Sequence, residues 1–201
     1  MNISQSALIL IGFQNDYFDR DGILYSVIEE SSQANDVVNN TVNLLRKIIA
    51  TPILIITTPI FFTPDYSELF EPVGILKTIK EMKAFRQGTK GAEMIAEFRE
   101  FEDRILEIPG KRGLNAFSNT DLDSVLKSKN ITNVILAGTV TSICIDSTGR
   151  YAHEQGYQVQ ILSDCTSSRT IFEHEFYTSQ IFPLYAQVST SSQLLIDLQL
   201  C

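Results

Sequence analysis

Short runs of successive apolar residues alternate along this chain with stretches in which apolar positions recur every three or four residues. The runs predict strands covered on both faces and the periodic stretches predict helices that bury one side, which together define an α/β sheet of mostly parallel strands. Six runs qualify: Ala7 to Gly12, Pro52 to Thr58, Arg104 to Ile108, Asn133 to Ala137, Tyr157 to Leu162 and Tyr185 to Ser189. Val38, Val42, Leu45 and Ile49 step by four, three and four, which places them on one face of a helix between the first two strands. Thr120 is the expected N-cap of the crossover from the third strand to the fourth, with Asp121 and Asp123 in a first turn where the helix dipole favours acids. Ser142 to Gln155 and Arg169 to Phe182 are expected to form the next two crossovers, and Ser191 to Leu200 a terminal helix.

Pro59 to Phe101 is too long for a plain loop and must hold structure of its own. Pro72 opens an expected helix carrying Ile75, Ile79 and Met82, while Gly88 and Gly91 mark turns before a short helix from Ala92 to Phe98. This segment is expected to cap the sheet's carboxyl edge. A length of 201 residues, with no repeat or linker, fits a single domain over residues 1–201.

Composition narrows the partners. A net charge of −8, with no basic cluster beyond Lys111-Arg112, repels phosphate backbones and argues against nucleic acid. No apolar run approaches the roughly 20 residues of a bilayer span, and Met1 to Gln5 lacks the basic start and apolar stretch of a signal peptide, so a cytoplasmic protein without a membrane partner is expected. Cys144, Cys165 and Cys201 are too few and too scattered for a disulfide framework or a zinc site.

Sites in open α/β sheets form at the carboxyl ends of strands, so the residues after each strand carry the candidate chemistry. Three segments stand out: Gly12-Phe13-Gln14-Asn15-Asp16-Tyr17, Pro109-Gly110-Lys111-Arg112-Gly113, and Gly138-Thr139-Val140-Thr141-Ser142-Ile143-Cys144. A cysteine in the first turn of a helix meets backbone N–H groups and the helix dipole, and a nearby lysine lowers a thiol's pKa further. Such a thiolate is a competent nucleophile, although a buried cysteine is equally often a small hydrophobe.

Three segments of the chain resemble the isochorismatase-like cysteine hydrolases, whose members include nicotinamidases, carbamoylsarcosine amidases and ureidoacrylate hydrolases. ALILIGFQNDYF is similar to that family's first strand and D-x-Q-N-D-F start. Lys111 with Leu114-Asn115-Ala116-Phe117 and Thr120-Asp121-Leu122 is the second, and VILAGTVTSICIDSTGRYAHEQGYQVQILSDC matches G-x-x-T-x-x-C followed by T-A-R-x-A and G-Y-x-V. The resemblance implies a parallel six-stranded sheet in a three-layer Rossmann-type sandwich, a Cys-Lys-Asp triad at its carboxyl edge, a homo-oligomer, and a non-proline cis peptide just before Val140. By carry-over Cys144 attacks a carbonyl, Lys111 stabilises the thiolate, and the amides of Val140 and Cys144 face the oxyanion. Gly12, Gln14, Tyr17, Thr139 and Val140 then border a small-molecule substrate.

The family's aspartate is absent, because Gly12 stands in its place. General acid-base help is worth roughly a hundred- to ten-thousand-fold, so this departure touches the proton-transfer half of the mechanism. Asp16 belongs to the family's start motif in its own right and is read as structural in the turn in preference to a surrogate base; Asp19, Glu29 and Glu68 are read as surface residues unless the cap brings them near. Nicotinamidases of the family hold a metal through an aspartate and histidines after the second strand, whereas this chain reads Thr57-Thr58-Pro59-Ile60-Phe61-Phe62, so neither a metal nor nicotinamidase activity is expected. His153 and His174 fall in expected crossover helices, in surface or capping roles. Phe13, Tyr17, Phe61, Phe62 and Tyr66 are candidates for an aromatic pocket or for core, Cys165 is expected in packing, and Cys201 at the surface. The leading reading is a cysteine hydrolase acting on a small amide, carbamoyl or ester compound through a Cys144 thioester, without cofactor; the alternative is a pseudoenzyme that binds a ligand or protein in the same pocket. On the first reading, Gly12→Asp is expected to raise turnover of simple amides or activated esters if the glycine is a deletion, and to abolish the native activity if the glycine makes room for a larger substrate.

Overall fold

Ala7 pairs with Leu54 on one side and with Val134 on the other, and every further register in the sheet is parallel. The structure, a computed structural model, describes residues 2–200; the expectation for Cys201 lies outside them. The strands are β1 (Ser6–Ile11), β2 (Leu54–Thr58), β3 (Ile105–Glu107), β4 (Asn133–Thr139), β5 (Gln158–Ser167) and β6 (Gln187–Ser189), in the order β3-β2-β1-β4-β5-β6. The order reverses between β1 and β4, the central pair, and that switch point is where α/β sheets open a crevice at their carboxyl ends.

All six residues of β1 and all seven of β4 are buried, as the unbroken apolar runs require. Alternate residues feed two cores. Ala7, Ile9 and Ile11 face one layer with Leu122, Leu126, Ile145 and Phe182, while Leu8 and Leu10 face the other with Val37, Leu44, Leu45, Ile48 and Leu194. The helices are α1 (Asn15–Phe18), α2 (Tyr25–Ala34), α3 (Val37–Ile48), α4 (Gly74–Met82), α5 (Leu122–Ser128), α6 (Asp146–Glu154), α7 (Ile171–Phe176) and α8 (Ser191–Asp197). None of the described helices is long and apolar enough to cross a membrane.

Several expected elements differ in detail. The buried stripe of α3 runs through Val37, Thr41, Val42, Leu44, Leu45 and Ile48, so Val42 and Leu45 are buried as expected while Val38 and Ile49 pack at its margin, and Thr41 can face inward because its hydroxyl donates to the Val37 carbonyl at 2.7 Å. Asp121 rather than Thr120 is the N-cap of α5, and Thr120 Oγ1 instead donates to the Ala116 carbonyl. The two later crossovers form over nearly the expected spans, each with a π-type turn continuous with its α-helix: Thr141–Ile145 leads into α6, and Tyr177–Ile181 extends α7. The expected helix over 92–98 is replaced by two 3₁₀ stretches, Lys90–Ala92 and Ala96–Arg104, and only α4 of the cap segment forms as expected.

Candidate active site

Strand β1 ends at Ile11, and Gly12 turns the chain out of the sheet with φ +73°, a left-handed value that favours glycine. The Gly12 carbonyl then accepts from the Gln14 amide at 2.8 Å, closing a tight turn. Gly138 in β4 lies so close to the Ile11 carbonyl that a Cβ there would overlap it, so the central pair approaches closely just before the chain leaves the sheet at Thr139. The Thr139–Val140 peptide is cis, as the resemblance implies.

Beyond it, the Val140 carbonyl accepts from the amides of both Ile143 (3.0 Å) and Ile145 (3.2 Å), which fixes the turn that carries Cys144. That turn is pinned from outside. Thr141 Oγ1 lies 3.1 Å from His174 Nδ1, and both residues are buried. His174 is therefore an internal brace rather than the surface or capping residue expected, and burial holds its pKa below the usual imidazole value, so it is neutral at pH 7.

Lys111 follows β3 and is 1% exposed, an unusual burial for a lysine unless its charge has partners. Its Nζ donates to the Gly113 carbonyl at 2.6 Å and to Cys144 Sγ at 3.8 Å. The loop that carries it is tied to α6 by the Ala116 amide, which donates to Thr148 Oγ1 at 3.0 Å. Cys144 and Lys111 thus come from segments 33 residues apart and meet at the carboxyl edge.

The pocket above them is lined by Ile11, Gly12, Tyr17, Ile60, Thr139, Lys111, Cys144 and Leu114, and roofed by Ile75, Leu76 and Ile79 of α4. Its volume is about 10 Å³, room for roughly one water. Three of the residues assigned to the substrate by resemblance, Gly12, Tyr17 and Thr139, line it. Val140 is fully buried beneath it, and Gln14 points away: its side-chain amide donates to the carbonyls of Ile60 (2.8 Å) and Ala92 (2.7 Å) and accepts from the Ile60 amide (2.9 Å). Gln14 clamps β1 to the cap. It also borders a more open groove of about 320 Å³ beside Phe13 and Phe61, which contains neither Cys144 nor Lys111.

None of the alternative carboxylates lines the Cys144 pocket. Asp16 is buried and accepts from the Ile23 amide (3.3 Å) and the Phe85 amide, which joins α1 to the cap just after α4. Asp19 pairs with Lys90 at 2.6 Å, Glu29 accepts from Gln33, and Glu68 accepts from the Thr63 amide and faces Arg112 at 3.6 Å. Of the five candidate aromatics only Tyr17 reaches the pocket, since Phe13 stacks on Phe18, Phe62 packs on Tyr66, and Phe61 lies under the Arg112 guanidinium. Among the described residues no three His, Cys, Asp or Glu side chains gather as metal ligands.

Cys165 gives an internal control. It is fully buried, and burial together with the neighbouring Asp164 carboxylate pushes its thiol pKa far up. Iodoacetamide at neutral pH is expected to modify Cys144 at least about tenfold faster than Cys165, as read by peptide mapping. Equal rates would show that Lys111 contact confers no reactivity.

Comparison with known proteins converges on one family. The isochorismatase domain matches residues 6–193. An uncharacterized isochorismatase family protein of Bacillus subtilis (strain 168), YddQ, is 26% identical over 200 residues, covering 94% of this chain and 98% of its own. The ureidoacrylate amidohydrolase RutB of an Enterobacter species (strain 638) is 30% identical over 173 residues, covering 80% of this chain and 74% of its own. In fold, the crystal structure of a cysteine hydrolase from Pseudomonas syringae pv. phaseolicola 1448A superposes with a TM-score of 0.86 at 20% identity, covering 99% of this chain and 94% of that one.

Proposed function

This chain belongs to the isochorismatase family of hydrolases, and from that premise we propose that it cleaves a small amide, carbamoyl or ester substrate through a thioester on Cys144. The observation that carries the reading is the buried Lys111 ammonium in contact with the Cys144 sulfur, at the carboxyl edge of a parallel sheet. The amidohydrolase among the relatives supports carbonyl chemistry of this kind.

With glycine at position 12 and no carboxylate among the described lining residues, Lys111 is the group that carries the proton. Cys144 Sγ bonds to the substrate carbonyl carbon, and the amides of Val140 and Cys144 hold the oxyanion. Collapse breaks the bond to the leaving group, which takes a proton from the Lys111 ammonium and departs neutral. Water then adds to the thioester carbon while its proton returns to the Lys111 amine, and the carbon–sulfur bond breaks to give the acid and the original pair. The net reaction consumes one water and leaves no residue altered.

A short incubation with an excess of p-nitrophenyl butyrate, quenched in acid and digested, tests the covalent step. One butyryl mass is expected on the peptide that carries Cys144, with p-nitrophenol released in a burst equal to the enzyme concentration. Turnover with no adduct at any time point and no burst would overturn the thioester. Dialysis against a chelator is expected to leave turnover unchanged, since Thr57 to Phe62 offers no imidazole or carboxylate where the family's metal enzymes hold theirs.

A further inference from the structure

Each polar side chain on the pocket wall is committed to a partner except one. Thr139 Oγ1 donates to the Ser167 carbonyl at 3.1 Å, and Lys111 is shared between Gly113 and Cys144. Tyr17 is 3% exposed and lines the same pocket, yet its hydroxyl makes no hydrogen bond among the described residues. The hydroxyl is not among the fully enclosed unpaired atoms, so this end of the side chain stays accessible and free to meet a ligand. Its ring is held by Phe85, 5.0 Å away between centroids, so the unpaired hydroxyl is the end of a fixed side chain.

The remaining wall is aliphatic. Ile60, Ile75, Leu76, Ile79 and Leu114 surround a space of about 10 Å³, which an acyl group enters only as these side chains give way, and among the described residues the one cation that lines it already faces Cys144. A substrate carboxylate would enter beside the Cys144 sulfur with no free positive charge to meet it. Burial, together with the charges of Cys144 and Asp16, raises the pKa of the Tyr17 phenol, which leaves it a neutral donor at pH 7.

We infer that the site takes a small substrate with an uncharged aliphatic acyl group, and that the Tyr17 hydroxyl donates the hydrogen bond that holds its carbonyl or leaving heteroatom. This rests on the Cys144 reading for the chemistry but not for the binding. Tyr17 replaces none of the proton transfer. It supplies in the pocket a polar contact that Gly12 cannot.

The test compares p-nitrophenyl butyrate with p-nitrophenyl hydrogen succinate, matched in length but differing in terminal charge. With wild-type protein, kcat/KM is expected to be at least about tenfold higher for the butyrate, and Tyr17→Phe is expected to lower the butyrate value by about three- to tenfold while the melting temperature stays within a few degrees. Preference for the succinate, or an unchanged butyrate value in Tyr17→Phe, would overturn the assignment. Binding is read separately in Cys144→Ser, by thermal shift with butyramide and with succinamate. Stabilisation by butyramide alone, diminished in the Cys144→Ser/Tyr17→Phe double variant, sustains the inference even if no Cys144-dependent turnover is found, in which case the thioester reading alone fails. Stabilisation by succinamate equal to or greater than that by butyramide, or by neither compound, sinks it.

Discussion

Cys144→Ser is expected to lower kcat/KM by at least about a thousand-fold, within the range that removing a nucleophile costs hydrolases which retain their other groups. Serine fits the space and keeps the turn, whose hydrogen bonds run through the backbone from Val140 to Ile143 and Ile145. What it loses is nucleophilicity. A serine hydroxyl must be deprotonated by a base as it attacks, and no histidine or carboxylate is among the described residues that line the pocket. Lys111→Met, which keeps the length of the buried stem but not its charge, is expected to act on the same step, so the two losses should not add. Measuring kcat/KM for wild type, both single variants and the double variant checks this. A Cys144→Ser enzyme within tenfold of wild type would exclude the covalent mechanism, and fully additive losses would exclude a joint role for the pair.

The parts of this site that the sequence revealed are those in which a residue type is itself the signal. Continuous apolar runs located β1, β2 and β4 within about two residues, because a strand buried on both faces leaves no polar position to confuse the reading. The motifs around Lys111 and Cys144 named both residues, although their meeting depends on the crossing order of β3 and β4 on either side of the β2-β1 pair, which local pattern does not encode. Helix α2 was illegible for the opposite reason. Only Ile28 and Ser31 of its ten residues are buried, and Ser31 faces inward because its hydroxyl accepts from the Ser168 amide across 137 positions of chain. Gln14, Asp16 and His174 share that character: each satisfies buried polar groups of a distant segment, and a polar residue in such a role has the same sequence signature as one at the surface. The π-type turn under Cys144 is a matter of hydrogen-bond register, which apolar spacing does not report.

The pocket geometry favours loss over gain in Gly12→Asp. Seen from the sequence, glycine in place of the family's aspartate is either a deletion that the reverse change would repair or room for a larger substrate. The backbone at this position argues against repair. With φ at +73°, a side chain occupies the left-handed region, where aspartate is tolerated better than most residues but still at a cost. An added Cβ would stand 2.9 Å from the Thr139 carbonyl oxygen and 3.2 Å from Thr139 Cγ2. Neither neighbour can retreat freely, because β4 is paired on both sides through Gly138, to Ile11 and to Thr166, and the Thr139 hydroxyl is bonded to Ser167. The carboxylate would also fill the space of about 10 Å³ beside the Cys144 sulfur and compete with the existing Lys111 contact. Strain of roughly 1–3 kcal/mol corresponds to a fall of several degrees in the melting temperature of a domain of this size. Turnover is expected to drop at least about tenfold, while Gly12→Ala, which carries the same Cβ without the charge, should show most of the thermal loss and a smaller loss of rate. Calorimetry on both variants beside kcat/KM separates strain from charge. If Gly12→Asp instead gained tenfold or more in rate with its stability intact, the backbone at position 12 would have to adopt another conformation in solution, and a proton shuttle would be the one part this hydrolase lacks.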